Sequence, residues 1–154
     1  MAVAAEYGHL EVVKFLHAHR QEGRTAYAMN WAAGHGHLEV VKFLHAQRQE
    51  GCTTRAMDLA AEYGHLDVVK WLHTQGKGCT REAINLAARH GHLEVVKWLH
   101  AHRHRVSDRS EEGCSTRAMG LAAEYGHLEV VKFLHAVRRT PPRRINLQRA
   151  QHNK

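Results

Sequence analysis

Histidine is the residue type in this chain with the widest chemical scope, because its imidazole can bind metals and transfer protons. The sequence contains sixteen histidines. Ten of them recur at two fixed positions of a repeated segment: His9, His37, His65, His92 and His127 after a glycine, and His17, His45, His73, His100 and His135 at its end. We expect the first group to hydrogen-bond a turn between helices and the second to interact with the negative end of a helix dipole. Structural roles therefore explain both groups.

The remaining candidate metal ligands give no recognisable site. His100, His102 and His104 lie close in sequence, but no cysteine or acid lies near them at the spacing of a structural zinc site. Three cysteines occupy the same position of successive repeats: Cys52, Cys79 and Cys114. Their odd number and single-column placement argue against a disulfide framework. We predict partly buried thiols in a reducing compartment, with no native metal and no cofactor.

Sequence signatures of catalysis do not occur either. The chain has no glycine-rich phosphate loop, no G-x-S-x-G and no H-E-x-x-H motif. Catalysis needs one distinctive concave site, which a series of near-identical units does not obviously provide. We therefore predict that the protein is not an enzyme.

The histidines recur because a whole segment recurs. Gly-His-Leu-Glu/Asp-Val-Val-Lys-Phe/Trp-Leu-His occurs five times, with steps of 28, 28, 27 and 35 residues between copies. The copies begin at Gly8, Gly36, Gly64, Gly91 and Gly126. A regular period of this size predicts a stacked array in which each unit buries its apolar face against its neighbours.

The third copy shows the unit most clearly. Thr53 is a good N-cap for a helix with the sequence RAMDLAAEY. Gly64 then interrupts the helix, and LDVVKWLHTQ forms a second helix that ends at Gly76. The first helix carries a small apolar face at helical spacing: Ala56, Met57, Ala60 and Ala61. The second carries a wider apolar stripe: Leu66, Val68, Val69, Trp71 and Leu72.

This unit resembles an ankyrin repeat. The resemblance lies in A-A-x-x-G-H-L-E-V-V-K-x-L, as from Ala60 to Leu72, and it recurs in register over about residues 1–137. Two features depart from the family: RAMD replaces T-P-L-H at the start of the first helix, and the steps are mostly shorter than 33 residues. The shortened connection is where the family has a β-hairpin finger. The resemblance implies an all-α, right-handed solenoid of stacked helix-turn-helix units with little or no β structure.

We divide the chain into a repeat array over residues 1–137 and a basic, disordered tail over 138–154. The units are approximately 1–22, 23–50, 51–77, 78–112 and 113–137. Met1 aligns with Met57, so the first unit is incomplete, and we expect a fragment of a longer array or a start assigned at an internal methionine. The connection 101–113 is longer than its counterparts, as either a solvated loop or a finger that contacts a partner.

The net charge of +7 belongs to the tail, which holds six basic residues and no acid. Residues 1–137 retain sixteen basic and fifteen acidic residues, which argues against a repeat body that binds nucleic acid. A nuclear address or a weak phosphate contact is the alternative function, carried by Arg138, Arg139, Arg143 and Arg144. The chain has no membrane-spanning stretch and no secretory signal, so we expect an intracellular protein, cytoplasmic or nuclear.

The strongest functional prediction comes from positions that vary while the scaffold stays constant. Positions nine, six and two residues before each turn glycine share one face of the first helix. The resemblance implies that first helices line a concave, partner-binding surface, so we predict protein–protein recognition by a monomer or by part of a longer array. The alternatives are solvated positions free to vary and a fragment without independent function. The candidates, of which Tyr27 and Arg55 are the preferred anchors, are Tyr27, Asn30, Trp31, Arg55, Asp58, Glu62, Glu82, Asn85, Arg89, Arg117 and Glu124.

Overall fold

The structure is a computed structural model that describes residues 1–19, 25–47, 53–76, 80–102 and 111–139, without the side chains of 111–115 and Arg139. Within these ranges the chain forms ten helices in five pairs and no strand, which confirms the all-α array. The pairs are α1 (Ala2–Glu6) with α2 (Leu10–His19), α3 (Thr25–Gly34) with α4 (Leu38–Ala46), α5 (Thr54–Glu62) with α6 (Leu66–Thr74), α7 (Arg81–Arg89) with α8 (Leu93–Ala101), and α9 (Glu111–Glu124) with α10 (Leu128–Arg139). The predicted turns in place of β fingers lie mainly outside the described residues.

Threonine begins the first helix of the third and fourth pairs. The Thr53 hydroxyl accepts a hydrogen bond from the amide of Ala56 at 3.3 Å, and the Thr80 hydroxyl accepts one from Ala83 at 3.0 Å. Each bond satisfies one of the amides that a helix N-terminus leaves unpaired. The prediction that Thr53 is an N-cap is therefore confirmed.

A glycine in the left-handed region ends the first helix of every pair. The φ angles of Gly8, Gly36, Gly64, Gly91 and Gly126 lie between 73° and 82°. Side chains other than glycine rarely adopt this conformation, because Cβ then crowds the following carbonyl oxygen. Gly76, with φ 82°, follows the end of α6 in the same conformation. Both predicted helix ends in the third unit are confirmed.

The core is a continuous stack of small side chains on the first helices and larger ones on the second. Ala56, Met57, Ala60 and Ala61 are fully buried. The equivalent alanines of the second and fourth pairs are fully buried too: Ala28, Ala32, Ala33, Ala83, Ala87 and Ala88. The first helices contact each other along much of their length, because alanine lets two backbones approach closely. The second helices touch their neighbours less and fill the space with larger side chains. In the third pair these are Val68, Val69 and Leu72, with Leu66 and Trp71 half-buried at the edge.

Acidic and basic side chains pair on the exposed side of the second helices. Pairs at i, i+3 form at 2.7–2.8 Å in four repeats: Glu11 with Lys14, Glu39 with Lys42, Glu94 with Lys97 and Glu129 with Lys132. Such exposed pairs add a few tenths of a kcal/mol each, roughly 0.2–0.5. They support the second helices.

Two helix ends differ from the sequence-based boundaries. Helix α9 begins at Glu111, so residues 111–113 of the predicted loop are helical. Acidic residues are favoured in the first turn of a helix, and Gly113 within it opposes helix formation by only about 1 kcal/mol. Helix α10 extends to Arg139, so Arg138 and Arg139 belong to the last helix rather than to a disordered tail. Arg143 and Arg144 lie outside the described residues.

Candidate partner-binding surface

The histidine after each turn glycine joins its repeat to the preceding one. The His37 Nε2 atom lies 2.8 Å from the carbonyl oxygen of Glu6, so Nε2 carries the proton and donates. The same ring covers Gly8, where a Cβ atom would come within 2.5 Å of Nδ1. Gly36, Gly64 and Gly91 are covered in the same way by the histidine of the next repeat. The predicted bond to the turn thus forms between repeats rather than within one.

Packing shifts the pKa of one member of this histidine column, His92. Burial lowers the pKa of His92, and the neighbouring imidazoles of His90, His65 and His127 lower it further. A hydrogen bond to the carbonyl of Glu62 opposes them. The neutral ring is therefore the form that fits the stack, which agrees with a structural role.

The second histidine column packs against the next repeat. Four of its five rings meet an aromatic ring of the following second helix nearly at a right angle, with interplanar angles of 82–90° and centroid distances of 5.0–5.8 Å. The pairs are His17 with Phe43, His45 with Trp71, His73 with Trp98 and His100 with Phe133. Edge-to-face packing of this kind stabilises aromatic pairs beyond their buried area. These histidines are thus part of the outer layer of the core.

Over residues 1–19, 25–47, 53–76, 80–102 and 111–139, no group of three or more histidine, cysteine or acidic side chains could hold a metal ion. Within that part of the chain, no helix is long and apolar enough to cross a bilayer. Cys52, Cys79 and His104 lie outside it, as does the side chain of Cys114.

The middle column of predicted partner-binding residues faces the next repeat instead of solvent. Asn30 is buried, and its Oδ1 accepts a hydrogen bond from the Thr53 hydroxyl at 2.5 Å. Asp58 accepts one from the Thr80 hydroxyl in the equivalent place, and Asn85 is 3% exposed. These three positions are therefore partly or fully covered within the stack, because the alanine-lined first helices pack closely. Their role in partner binding stays a prediction.

Asp58 differs from its asparagine counterparts in carrying an ionisable group. Burial raises the pKa of Asp58, and the hydrogen bond from Thr80 lowers it. The carboxylates of Glu82 and Glu62 raise the pKa further, and Arg55 lowers it. The net direction is upward, so the fold stabilises the protonated form of Asp58 relative to the charged form.

A groove between α3 and α5 brings several of the other candidates together. It has a volume of about 310 Å³ and is lined by Tyr27, Asn30, Trp31, Gly34, Arg55, Leu59, Glu62 and Tyr63. Five of these residues were predicted from sequence: Tyr27, Asn30, Trp31, Arg55 and Glu62. Tyr27 and Trp31 meet edge to face at a centroid distance of 5.9 Å, so two aromatic side chains form one wall.

The remaining candidates lie at the interface between α7 and α9. Arg117 and Glu82 form an ion pair at 3.6 Å with both side chains more than half exposed. Exposed pairs of this kind contribute little to stability, about 0–1 kcal/mol. Arg89 is half-buried and contacts Tyr125, whereas Glu124 is exposed. This group is separate from the groove.

Sequence reasoning missed the column immediately before the turn glycines, where tyrosine and histidine alternate along the array. Its members are Tyr7, His35, Tyr63, His90 and Tyr125, all exposed. Tyr63 stacks on His35 at 6.2 Å and lies 6.5 Å from His90. His35 and His90 each approach a carboxylate of the preceding repeat, Glu6 at 3.9 Å and Glu62 at 3.6 Å. The alternation is visible in the aligned copies. However, the column lies at the turn and does not share the helical spacing of the other candidates.

Comparison with known families gives two matches. A family model described as ankyrin repeats (3 copies) matches residues 57–140. A second, described as ankyrin repeats (many copies), matches residues 1–45 and 29–73. No curated protein shows significant similarity to the chain.

Proposed function

The chain belongs to the ankyrin repeat family, whose members generally bind other proteins and are typically non-catalytic, and we propose that it binds a polypeptide partner in the groove on its first-helix face. The groove between α3 and α5 is the observation that carries this proposal. It combines concave shape with exposed aromatic and charged side chains on two neighbouring repeats.

The residue types in the groove are those that dominate binding energy at protein interfaces. Tryptophan, tyrosine and arginine are enriched among such residues, since each offers a large contact area and a polar group. Tyr27, Trp31 and Arg55 supply all three types within one cavity. A partner segment that enters the groove would therefore meet several anchors at once.

The packing of the two helix layers supports a concave first-helix face. The first helices are closely spaced because alanine separates them, whereas valine, leucine and aromatic side chains separate the second helices. A stack whose layers differ in spacing curves toward the closer layer. The groove would then lie on the inside of the curve, where one partner segment can contact successive repeats.

Among the described residues, most of the repeated positions are used in contacts within the array. The turn histidines and the second histidine column are occupied by contacts between repeats. The second helices expose the paired glutamates and lysines, together with Val12 and Phe15 on α2 and Leu128 on α10. By contrast, Tyr27 is 52% exposed, and its ring is available to a ligand.

Selection of short random peptides against the full chain tests the proposal. The affinity of the tightest peptides is then measured by calorimetry for the wild type, Tyr27→Ala and Arg55→Ala. We expect at least one of the two variants to weaken binding by about tenfold or more. Phe15→Ala is the matched control, because Phe15 is an exposed aromatic residue on a second helix. Binding that neither Tyr27→Ala nor Arg55→Ala weakens, or failure to select any peptide, would count against the proposed face.

A further inference from the structure

The column two residues before each turn glycine contains one position without a side chain. Along the array this column reads Glu6, Gly34, Glu62, Arg89 and Glu124. Arg89 thus lies between two glutamates of the neighbouring repeats, and so does Gly34. Two members of the column, Gly34 and Arg89, lie between glutamates. Arg89 brings its own cation to that position, whereas Gly34 has no side chain.

The contact made by Arg89 shows what this position can hold. The Arg89 guanidinium lies 4.9 Å from the centroid of the Tyr125 ring, and its Nη2 donates a hydrogen bond to the Tyr125 hydroxyl at 2.9 Å. Tyr125 belongs to the next repeat and immediately precedes its turn glycine. An arginine in this column therefore covers the face of the tyrosine that follows it in the stack.

The equivalent pair between the second and third repeats is Gly34 and Tyr63. A Cβ atom at Gly34 would lie 3.6–3.8 Å from two atoms of the Tyr63 ring and 3.4 Å from the Leu59 Cβ atom. These are ordinary contact distances, so a side chain at Gly34 would extend along the tyrosine without a severe clash. Instead this space is part of the groove.

We propose that the groove binds the guanidinium of an arginine in the partner polypeptide, in the place that Arg89 occupies between the fourth and fifth repeats. This inference rests on the proposed function and specifies the chemistry of its ligand. Tyr63 supplies the ring face, and Tyr27 and Trp31 add two further rings within reach of a cation.

The charges around the groove fit a cation from outside. Glu62 lines the groove, and the Glu6 carboxylate of the first repeat lies 3.9 Å from His35 in the second. Arg55 also lines the groove, but the Asp58 carboxylate lies within its electrostatic range and partly offsets its charge. Arginine fits better than lysine, because a planar guanidinium can stack on tyrosine while it donates hydrogen bonds to a carboxylate.

Nuclear magnetic resonance of the full chain tests the inference with defined probes. The protein is titrated with acetyl-Gly-Arg-Gly-amide, with the lysine analogue and with the uncharged citrulline analogue. We expect the arginine probe to produce saturable shifts at the Trp31 indole N–H and the Gly34 amide. The lysine probe should produce weaker shifts and the citrulline probe none. Equal shifts with arginine and citrulline would overturn the inference.

Substitutions at Gly34 provide matched variants. Gly34→Arg fills the site from within and should abolish the shift at Trp31, whereas Gly34→Ala should retain it. Circular dichroism checks that both variants are helical. Tyr63→Leu is a second variant, at an exposed position. It should also weaken the shift of the Trp31 indole N–H signal, because it removes the aromatic ring on which the guanidinium would stack. A Gly34→Arg protein that is folded and responds like the wild type would contradict the inference.

The outcomes separate this inference from the proposed function. Selected peptides that need Tyr27 or Arg55, but bind equally well with each arginine changed to citrulline, would overturn the inference alone. The proposed function would be overturned if the selected peptides bind the Tyr27 and Arg55 variants as tightly as the wild type. The inference would survive if the arginine probe still shifts the Trp31 indole N–H signal.

Discussion

Tyr63 and Gly64 are adjacent in sequence but belong to regions of the molecule with different tasks. Gly64 has φ 82° and lies beneath the His92 ring of the next repeat, an arrangement that recurs at four of the five turns. Tyr63 points outward, is 52% exposed, and alternates with histidine along the array. The residues that repeat without change hold the stack together, and the neighbouring variable residues give each interface its own surface.

The largest expected effect is on the turn. Gly64→Ala places a Cβ atom 2.6 Å from His92 Nδ1 and forces alanine into the left-handed region. Backbone strain and displacement of the histidine together should lower the free energy of unfolding by about 3 kcal/mol, measured by urea denaturation.

Gly126→Ala is the matched control for the turn, because Gly126 has φ 79° but a Cβ atom there would have nothing within 4 Å. Its free energy of unfolding should fall only by the backbone strain, about 1–2 kcal/mol. Equal losses in the two variants would show that the histidine contact between repeats adds nothing, and the distinction between turn and surface would weaken.

A smaller effect is expected at Asp58, which lies between the two regions. The pKa of Asp58 is raised above 3.8, so the folded state binds its proton more tightly than the unfolded state. The stability that this proton provides is complete below pH 3.8 and is lost as the pH rises through the folded pKa. Asp58→Asn should therefore increase the free energy of unfolding at pH 7 by less than about 1 kcal/mol, because the site is partly solvated.

The same substitution should have no effect at pH 3, where Asp58 is protonated in both states. Asn30→Asp is the reverse control, because Asn30 accepts the corresponding bond from Thr53. It should lower the free energy of unfolding at pH 7. A stabilising Asn30→Asp would contradict the assignment of this column to the packed interior of the stack.

The smallest expected effect is the pH dependence of stability that comes from His92. The pKa of His92 is lowered below 6.5, so its contribution to stability is present above pH 6.5 and is lost as the pH falls through the folded pKa. His92→Gln should flatten the decline in unfolding free energy between pH 7 and pH 5, followed by thermal denaturation. His9→Gln, at the exposed member of the column, should leave the slope unchanged. If unfolding free energy declines with the same slope in the wild type, His92→Gln and His9→Gln, then His92 does not contribute to the pH dependence of stability.

The fold was predictable because its signals repeat. Five copies of one segment gave the helix pairs, the turn glycines and the buried alanine face, and all three are confirmed. It was harder to predict which side chains of the first helix face solvent. Positions that share one side of an isolated helix, such as Asn30 and Tyr27, divide between the interior and the surface once a second helix packs alongside.

The candidate site was therefore only partly predictable. Tyr27, Trp31, Arg55 and Glu62 were identified from variation within the chain and lie together in the groove. Tyr63 was not identified, because its exposure depends on the turn geometry rather than on helical spacing. The open space at Gly34 could not be predicted from sequence either. It becomes informative only once the structure shows Arg89 packed over Tyr125 in the equivalent place.

The affinity of a groove-selected peptide for Tyr63→Ala and for Tyr125→Ala is the measurement that tests the central claim most directly. Both tyrosines occupy the same column and are about half exposed, but Arg89 covers the second. We predict that Tyr63→Ala weakens binding by about tenfold or more, whereas Tyr125→Ala changes it by less than about twofold. Both proteins should keep their helical content. An equal loss in the two variants, or full affinity in Tyr63→Ala, would contradict the account.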